Sequence, residues 1–132
     1  MDELIQLLKE FNLVLRQQND CLSEFVFILD QEEQAIANYH FLEIEKSVIQ
    51  KDQHTRLSSS LEEKRIQLLK KICSMMAFDS RGQTLTLPLF KIIFSTYLEN
   101  VKKLLSDEIN LKLEELKSEF FEILSKLNDI DP

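Results

Sequence analysis

The longest uninterrupted helical pattern in the chain covers residues 41–76, a segment that contains neither Gly nor Pro. Apolar residues recur there at steps of three, four or seven, except across one polar gap, as in a helix with one buried stripe. The stripe consists of Phe41, Ile44, Val48, Leu57, Leu61, Leu68, Ile72, Met75 and Met76. At about 1.5 Å per residue this helix is about 54 Å long, so long helices are expected beside it.

A heptad pattern predicts a second long helix over residues 2–36, with Asp2 as its N-cap. Three neighbouring heptad rows are largely apolar. They are Leu4, Phe11, Gln18, Phe25 and Glu32; Leu7, Val14, Cys21, Ile28 and Ala35; and Leu8, Leu15, Leu22, Leu29 and Ile36. This stripe is wider than the seam of a two-helix coiled coil, so helix 1 is expected to contact two neighbours at once.

A short break at residues 37–40 separates these two helices, and Asn38 is a residue type that adopts the left-handed conformation or caps the following helix. Because the helices match in length and the connection is short, we expect an antiparallel hairpin of helix 1 (2–36) and helix 2 (39–77). Polar residues 16–20 then lie opposite residues 57–60. The middle of the hairpin is therefore predicted to be its weakest-packed part.

A third helix is predicted over residues 87–128, with Thr86 as its N-cap and Pro88 in its first turn. Its apolar stripe changes direction, because four apolar residues follow one another at steps of four: Val101, Leu105, Ile109 and Leu113. Such steps rotate the apolar face by roughly a quarter turn. Helix 3 is therefore expected to bend, to shift from one groove of the hairpin to the other, or to dock its distal half loosely. The predicted fold is one all-α domain over residues 1–132, an elongated bundle of three long helices whose first two form an antiparallel coiled-coil hairpin.

Charge and composition narrow the class of protein. The net charge is −7, which argues against a nucleic-acid partner because phosphate binding needs a basic face. Residues 2–36 carry eight acidic and two basic residues, whereas residues 41–76 carry five acidic and seven basic ones, which favours pairing of these two helices.

No apolar run approaches the length of a membrane span, and the first residues lack the basic start of a secretion signal, so a cytoplasmic protein is expected. Cys21 and Cys73 fall at or beside core positions and are expected to be buried, reduced thiols.

Few residues are suited to catalysis. The chain has two His and one Gly, and it contains no P-loop, no Cys-x-x-Cys and no Glu-x-x-His, so neither an enzyme nor a cofactor or metal site is predicted. His40 is expected in a loop or capping role and His54 in a solvated patch. One alternative is a histidine phosphotransfer module, a small helical bundle in which His54 would be the phosphoacceptor.

The residue pattern resembles the FlgN-type flagellar export chaperones over nearly the whole chain. The resemblance rests on Leu29, Glu32, Ala35 and Ile36, then on Lys51, Leu57, Leu61, Arg65, Leu68, Leu69 and Ile72, and on a Thr-Leu pair that opens a third helix. It implies a small acidic cytosolic protein that binds the C-terminal helices of hook-filament junction proteins. Such a protein prevents premature assembly of these clients and delivers them to the type III export gate. The sequence leaves open whether the protein is a monomer or a dimer. The alternative left open by the pattern is a structural coiled-coil adaptor subunit.

Two surface assignments follow from the helix faces. We hypothesise that the distal half of helix 3 is the client-binding surface, because its apolar stripe is wider than one neighbour covers. The residues of this surface are Leu113, Leu116, Phe120, Phe121, Ile123, Leu124 and Leu127. Lys51 and Arg65 are predicted to be surface residues that pair with acidic side chains of helix 1.

Overall fold

A computed structural model describes residues 1–79 and 82–130 and places four α-helices in them, with no strand in these two ranges. The helices are α1 (Asp2–Ala37), α2 (Phe41–Met75), α3 (Leu87–Val101) and α4 (Asp107–Ile130). The all-α prediction is confirmed. The prediction of three helices is wrong, because the expected third helix is divided into α3 and α4.

The first two helices form the expected antiparallel pair. Gln18 Nε2 donates to Glu62 at 3.0 Å, and farther along α1 the Glu32 carboxylate meets Lys51 Nζ at 2.8 Å. Residues later in α1 therefore meet residues earlier in α2. The turn between them differs in detail from the prediction, since Tyr39 has the positive φ of 56° and Asn38 does not. The Asn38 side chain instead donates to the Gln34 carbonyl at 2.9 Å, and thereby caps the end of α1.

The structure places the N-caps of α1 and α3, for which the sequence predicted Asp2 and Thr86. Thr86 caps α3 as expected, because its hydroxyl accepts a hydrogen bond from the Leu89 amide at 3.2 Å. The N-cap of α1 is Met1 rather than Asp2, which is the first helical residue and contributes its charge to the first turn. An acidic residue is favourable at either position, so the sequence pattern did not separate the two.

The division between α3 and α4 is stabilised by its own side chains. Ser106 Oγ accepts from the Ile109 amide at 3.3 Å, so it caps the start of α4. Asn110 Nδ2 donates to the carbonyls of Lys102 and Leu105, at 2.9 and 3.3 Å, and satisfies acceptors left free where α3 ends. The apolar stripe therefore changes direction because one helix ends and another begins, not because a single helix bends.

The direction of α4 follows from two hydrogen bonds at the same sequence offset. Asn12 Nδ2 donates to the Leu116 carbonyl at 3.2 Å, and Asn19 Nδ2 donates to the Ile123 carbonyl at 3.3 Å. Both pairs are 104 residues apart, so α4 runs parallel to α1. The same offset places the end of α4 level with about residue 26 of α1, and the remaining third of the hairpin extends beyond it.

The hydrophobic core occupies only one half of the hairpin, which we call the body. At its centre the rings of Phe11, Phe90 and Phe120 contact one another, with centroid distances of 5.3 to 5.9 Å, and so join α1, α3 and α4. The core cluster ends at Cys21 on α1 and at Leu61 on α2. Its buried members are Leu4, Ile5, Leu8, Phe11, Val14, Leu15, Cys21, Leu61, Leu68, Leu69, Ile72, Cys73, Met76, Leu87, Phe90, Ile93, Phe94, Leu98, Leu113, Leu116, Phe120 and Ile123.

Replacing Phe120 by Ala is expected to destabilise the body strongly, because the ring is fully buried between Phe11 and Phe90. A buried Phe→Ala change costs about 3–5 kcal/mol through lost burial and the cavity that remains. Urea unfolding followed by circular dichroism measures this free energy. Phe121→Ala is the matched control, since Phe121 is only half-buried, and its loss is expected to be smaller. Equal losses for the two variants would contradict the core assignment.

Candidate functional site

The part of the hairpin beyond the body, residues 22–57, carries an unusual amount of exposed apolar surface. We call this segment the arm. It is little more than a quarter of the chain, yet it holds ten of the seventeen exposed large hydrophobic side chains of the described residues. These ten are Val26, Phe27, Leu29, Ile36, Tyr39, Phe41, Leu42, Val48, Ile49 and Leu57. Scattered exposed apolar residues are ordinary, but a concentration of this kind marks an interaction surface.

Four of these ten side chains lie on one side of the hairpin, and they are Leu29, Ile36, Phe41 and Val48. A heptad row of α1 that contains Leu22 and a heptad row of α2 that contains Thr55 border the same cleft between the helices. Because residues seven apart share a helix face, both rows continue along that side into the arm. We call this side the arm face. Its residues are Leu22, Phe25, Leu29, Ile36, Phe41, Ile44 and Val48.

Along α1 the exposure of the arm face rises with distance from the body, and Phe41 at the start of α2 is its most exposed residue. Leu22 and Phe25, next to the body, are half-buried, whereas Leu29 is 42% exposed, Ile36 54% and Phe41 71%. The opposite side of the arm is different in character. There the cleft between the helices is lined mainly by polar side chains, which are Gln31, Gln34, Asn38, His40, Glu43, Lys46, Ser47 and Gln50. The lining of this cleft is thus more polar than the arm face.

The two arm helices are held together by a polar seam as well as by Ile28 and Ala35, which are buried. The Glu32 carboxylate accepts hydrogen bonds from Lys51 Nζ and, at 2.6 Å, from Ser47 Oγ. These bonds, that of Lys51 above all, lower the pKa of Glu32 below its ordinary value. A carboxyl with a lowered pKa stabilises the folded state at neutral pH, and this stabilisation is lost as the pH falls through the lowered value.

The pairing expected for Lys51 with helix 1 is confirmed by its contact with Glu32, and the pairing expected for Arg65 is wrong. Arg65 pairs with Glu62 of its own helix, and its side chain is only 23% exposed. It lines a cleft with Thr84 and Leu85, which precede α3, so it faces that connection and not α1. The link from Glu62 to α1 is made by Gln18 instead.

A cleft of about 330 Å³ opens between α1 and α2 where the body meets the arm, at the predicted weak point of the hairpin. His54 lies in its wall with Nδ1 3.6 Å from Cys21 Sγ and Nε2 3.3 Å from the Glu24 carboxylate. Its side chain is 16% exposed, so the expectation of a solvated His54 is wrong. Polar neighbours in the sequence suggested solvent there, but Cys21 and Glu24 on α1 cover the ring. His40 is the N-cap residue of α2 without a side-chain capping bond.

The Cys21–His54–Glu24 group has the residue types of a nucleophilic site but the wrong electrostatics. Burial, and then the charge of Glu24, raise the pKa of Cys21, so the thiol stays protonated at neutral pH, whereas a nucleophile requires the thiolate. Cys21 and Glu24 approach opposite nitrogens of the imidazole and do not converge on one point. Among the described residues no group of three or more His, Cys, Asp or Glu side chains could hold a metal ion. A phosphoacceptor must offer a ring nitrogen to its partner, and both nitrogens of His54 face protein groups.

The residues predicted as the client surface lie on α4, and the structure divides them. Those buried in the core of the body are Leu113, Leu116, Phe120 and Ile123. Those half-buried against it are Phe121, Leu124 and Leu127. The distal half of the predicted helix 3 is therefore docked along α1, and the side-chain bonds from Asn12 and Asn19 to its backbone fix it there.

The arm face was missed by reasoning from the sequence, which assigned Leu29, Ile36, Phe41 and Val48 to covered stripes. The available signal was a difference in length. Helix 1 has an apolar surface wide enough for two neighbours along its whole length, but α3 and α4 together reach only part of the way along it. Past the ends of α3 and α4 these apolar rows continue, and no further helix of the described residues covers them.

Comparisons of the chain with protein-family models, with curated proteins and with solved structures found no match. No helix in the described ranges is both long enough and apolar enough to cross a membrane.

The thiol of Cys21 is expected to react slowly with iodoacetamide at pH 7, because burial keeps it protonated and covered. Cys73 is the internal control: it is fully buried and burial raises its pKa to about 11. Both thiols should become reactive in urea, and mass spectrometry of the alkylated peptides measures each rate. Alkylation of Cys21 in the folded protein faster than in urea would show that His54 activates it and would reopen the question of a catalytic role.

Proposed function

We propose that this protein is a cytoplasmic export chaperone resembling the FlgN family. In this proposal it binds the C-terminal helices of flagellar hook-associated proteins, prevents their premature assembly and delivers them to the type III export apparatus. The observation that carries the proposal is the arm, a two-helix unit with a broad exposed apolar face. The resemblance of the residue pattern supplies the class of client.

The physical requirement on a carrier of amphipathic helices is an apolar groove with polar edges. A groove between two antiparallel helices meets this requirement, because side chains of both helices flank the bound helix. In the arm, Leu29 and Ile36 from α1 and Phe41 and Val48 from α2 provide such flanks, and all four are exposed. Binding of this kind needs no catalytic group and no cofactor.

The α4 residues remain a second proposed client surface, and only some of them are accessible while α4 stays packed on α1. Phe121, Leu124 and Leu127 are half-buried and can contact a client while α4 stays docked. The four buried residues of that surface become accessible only if α4 leaves α1, which breaks the hydrogen bonds from Asn12 and Asn19. A deletion of the end of α4 is an ambiguous test because it removes Phe120 and Ile123 from the core, so substitution of Leu124 is preferable.

The proposed function is tested by co-expression with the C-terminal helical segment of a hook-associated protein from the same organism. We expect a stable complex on size-exclusion chromatography and a slower polymerisation of the full-length client in light scattering. The same client without its C-terminal segment is the control and should not bind. Absence of a complex together with unchanged polymerisation would reject the chaperone proposal. Co-purification from native cells with a stable, unrelated complex would favour the adaptor alternative.

A further inference from the structure

We propose that the arm face is the docking site for a basic amphipathic helix of a partner protein, seated along the groove between α1 and α2. The proposal rests on the proposed function only for the identity of that partner as an export client. It assigns the binding site to the arm, outside the α4 surface, and it specifies the charge of the helix that binds.

The chain itself shows what kind of element covers this side of α1. Phe11 and Phe25 belong to one heptad row. Phe11 is fully buried because the ring of Phe90, from α3, packs on it at 5.3 Å. Two heptads farther along the row, Phe25 is half-buried at the edge of the cleft, whose lining includes no residue of α3. The apolar row thus continues beyond its contact with α3.

The neighbouring row of α1 repeats the same change. Leu8 and Leu15 are buried at 1% and 2% exposure, and the later members become accessible, Ile36 above all. From Leu22 to Ile36 the uncovered part of this row extends over 14 residues, or about 21 Å of helix. An amphipathic helix of about four turns therefore matches its length.

The charge of the arm selects a basic helix. Residues 22–57 contain seven acidic and three basic residues, a net charge of −4. Two of the three cations already have partners, since Lys51 pairs with Glu32 and Arg56 pairs with Asp52 at 3.2 Å. An incoming helix therefore meets an acidic surface, which attracts Lys and Arg and accelerates binding at low salt.

Two of the acidic residues lie at the edges of the arm face. Glu33 is four residues after Leu29 and three before Ile36. In the same way, Glu45 is four residues after Phe41 and three before Val48. Side chains at these spacings are neighbours on a helix surface. Within the part of the chain that the structure describes, neither carboxylate forms an ion pair. Each is therefore free to pair with a basic side chain of a helix lying between them.

A second copy of this chain fits the arm face less well than a basic helix does, because its own arm is acidic. Face-to-face association of two arms brings together two surfaces of net charge −4 and places Glu33 and Glu45 of each copy against acidic edges. Like charges brought together at an interface oppose association. The charge distribution thus favours a basic partner over self-association.

The test uses a fluorescein-labelled, 18-residue Leu/Lys amphipathic helix as the probe and fluorescence anisotropy as the readout. The full-length protein should bind it and should not bind the corresponding Leu/Glu peptide. The double variant Leu29→Ser/Val48→Ser is expected to bind more weakly, with a Kd raised by about tenfold or more, because it loses central apolar anchors. Binding should weaken with added salt, and less steeply in the Glu33→Gln/Glu45→Gln variant.

The matched control is the double variant Phe27→Ser/Ile49→Ser. Phe27 and Leu29 lie on opposite sides of buried Ile28, and Ile49 is one further step of 100° away from the seam than Val48. Phe27 and Ile49 are each 61% exposed, so the control removes more exposed apolar surface than the test variant does. Its Kd should stay within about twofold of the unchanged protein, since the anchors are intact. Circular dichroism checks that all variants remain helical.

Equal weakening by the two double variants would overturn the proposal, and so would equal binding of the Leu/Lys and Leu/Glu peptides. A concentration-dependent dimer in analytical ultracentrifugation that the Leu29→Ser/Val48→Ser variant abolishes would identify a second copy as the occupant and would also overturn it. Failure of the proposed function is distinguishable. If the hook-associated segment still binds this double variant, the arm site is rejected and the chaperone function stands. If the arm binds the basic helix but the hook-associated segment does not bind, the docking site stands and the identity of the client is rejected.

Discussion

The contact among Phe11, Phe90 and Phe120 determines where the rest of the chain can pack. It joins α1, α3 and α4 near the beginning of α1, and the parallel alignment of α4 with α1 then carries the core as far as Cys21 and Ile123. α1 and α2 have 36 and 35 residues, but α3 has 15 and α4 has 24. Because the aromatic contact fixes the shorter helices at one end of the longer ones, the other end of the hairpin is left with two helices only.

A two-helix arm cannot bury its apolar residues as a bundle does, and its seam reflects this. The arm is joined by Ile28 and Ala35, which are buried, and by the polar group of Glu32, Ser47 and Lys51. This polar group fixes the alignment of the two helices without requiring a third layer. The apolar rows that would face a third layer remain accessible, and the arm face is the result. The proposed docking site is therefore a direct consequence of the difference in helix length.

Sequence reasoning predicted the all-α class, the antiparallel hairpin and the Thr86 cap, because these depend on periodicity, loop length and capping chemistry within a few residues. It missed the end of α3, although Ser106 followed by Asp107 and Glu108 is an N-terminal capping pattern inside the predicted helix. It also misplaced His54 and Arg65, whose surroundings depend on which face of α2 meets α1 and on the connection before α3. The candidate site was missed because the third helix was predicted as one helix over residues 87–128, long enough to cover α1, whereas α3 and α4 reach only part of the way along it.

The division into a packed body and a two-helix arm is tested most directly by amide hydrogen exchange of the free, full-length protein. Exchange reports the free energy of local opening, which is low where few buried contacts hold a segment. Slow exchange is predicted for amides of the body, including those of α4 near Phe120, and clearly faster exchange for the amides of the arm, residues 22–57. Uniformly slow exchange along the whole of α1 and α2 would contradict the account, because it would show that the arm is stabilised as strongly as the core.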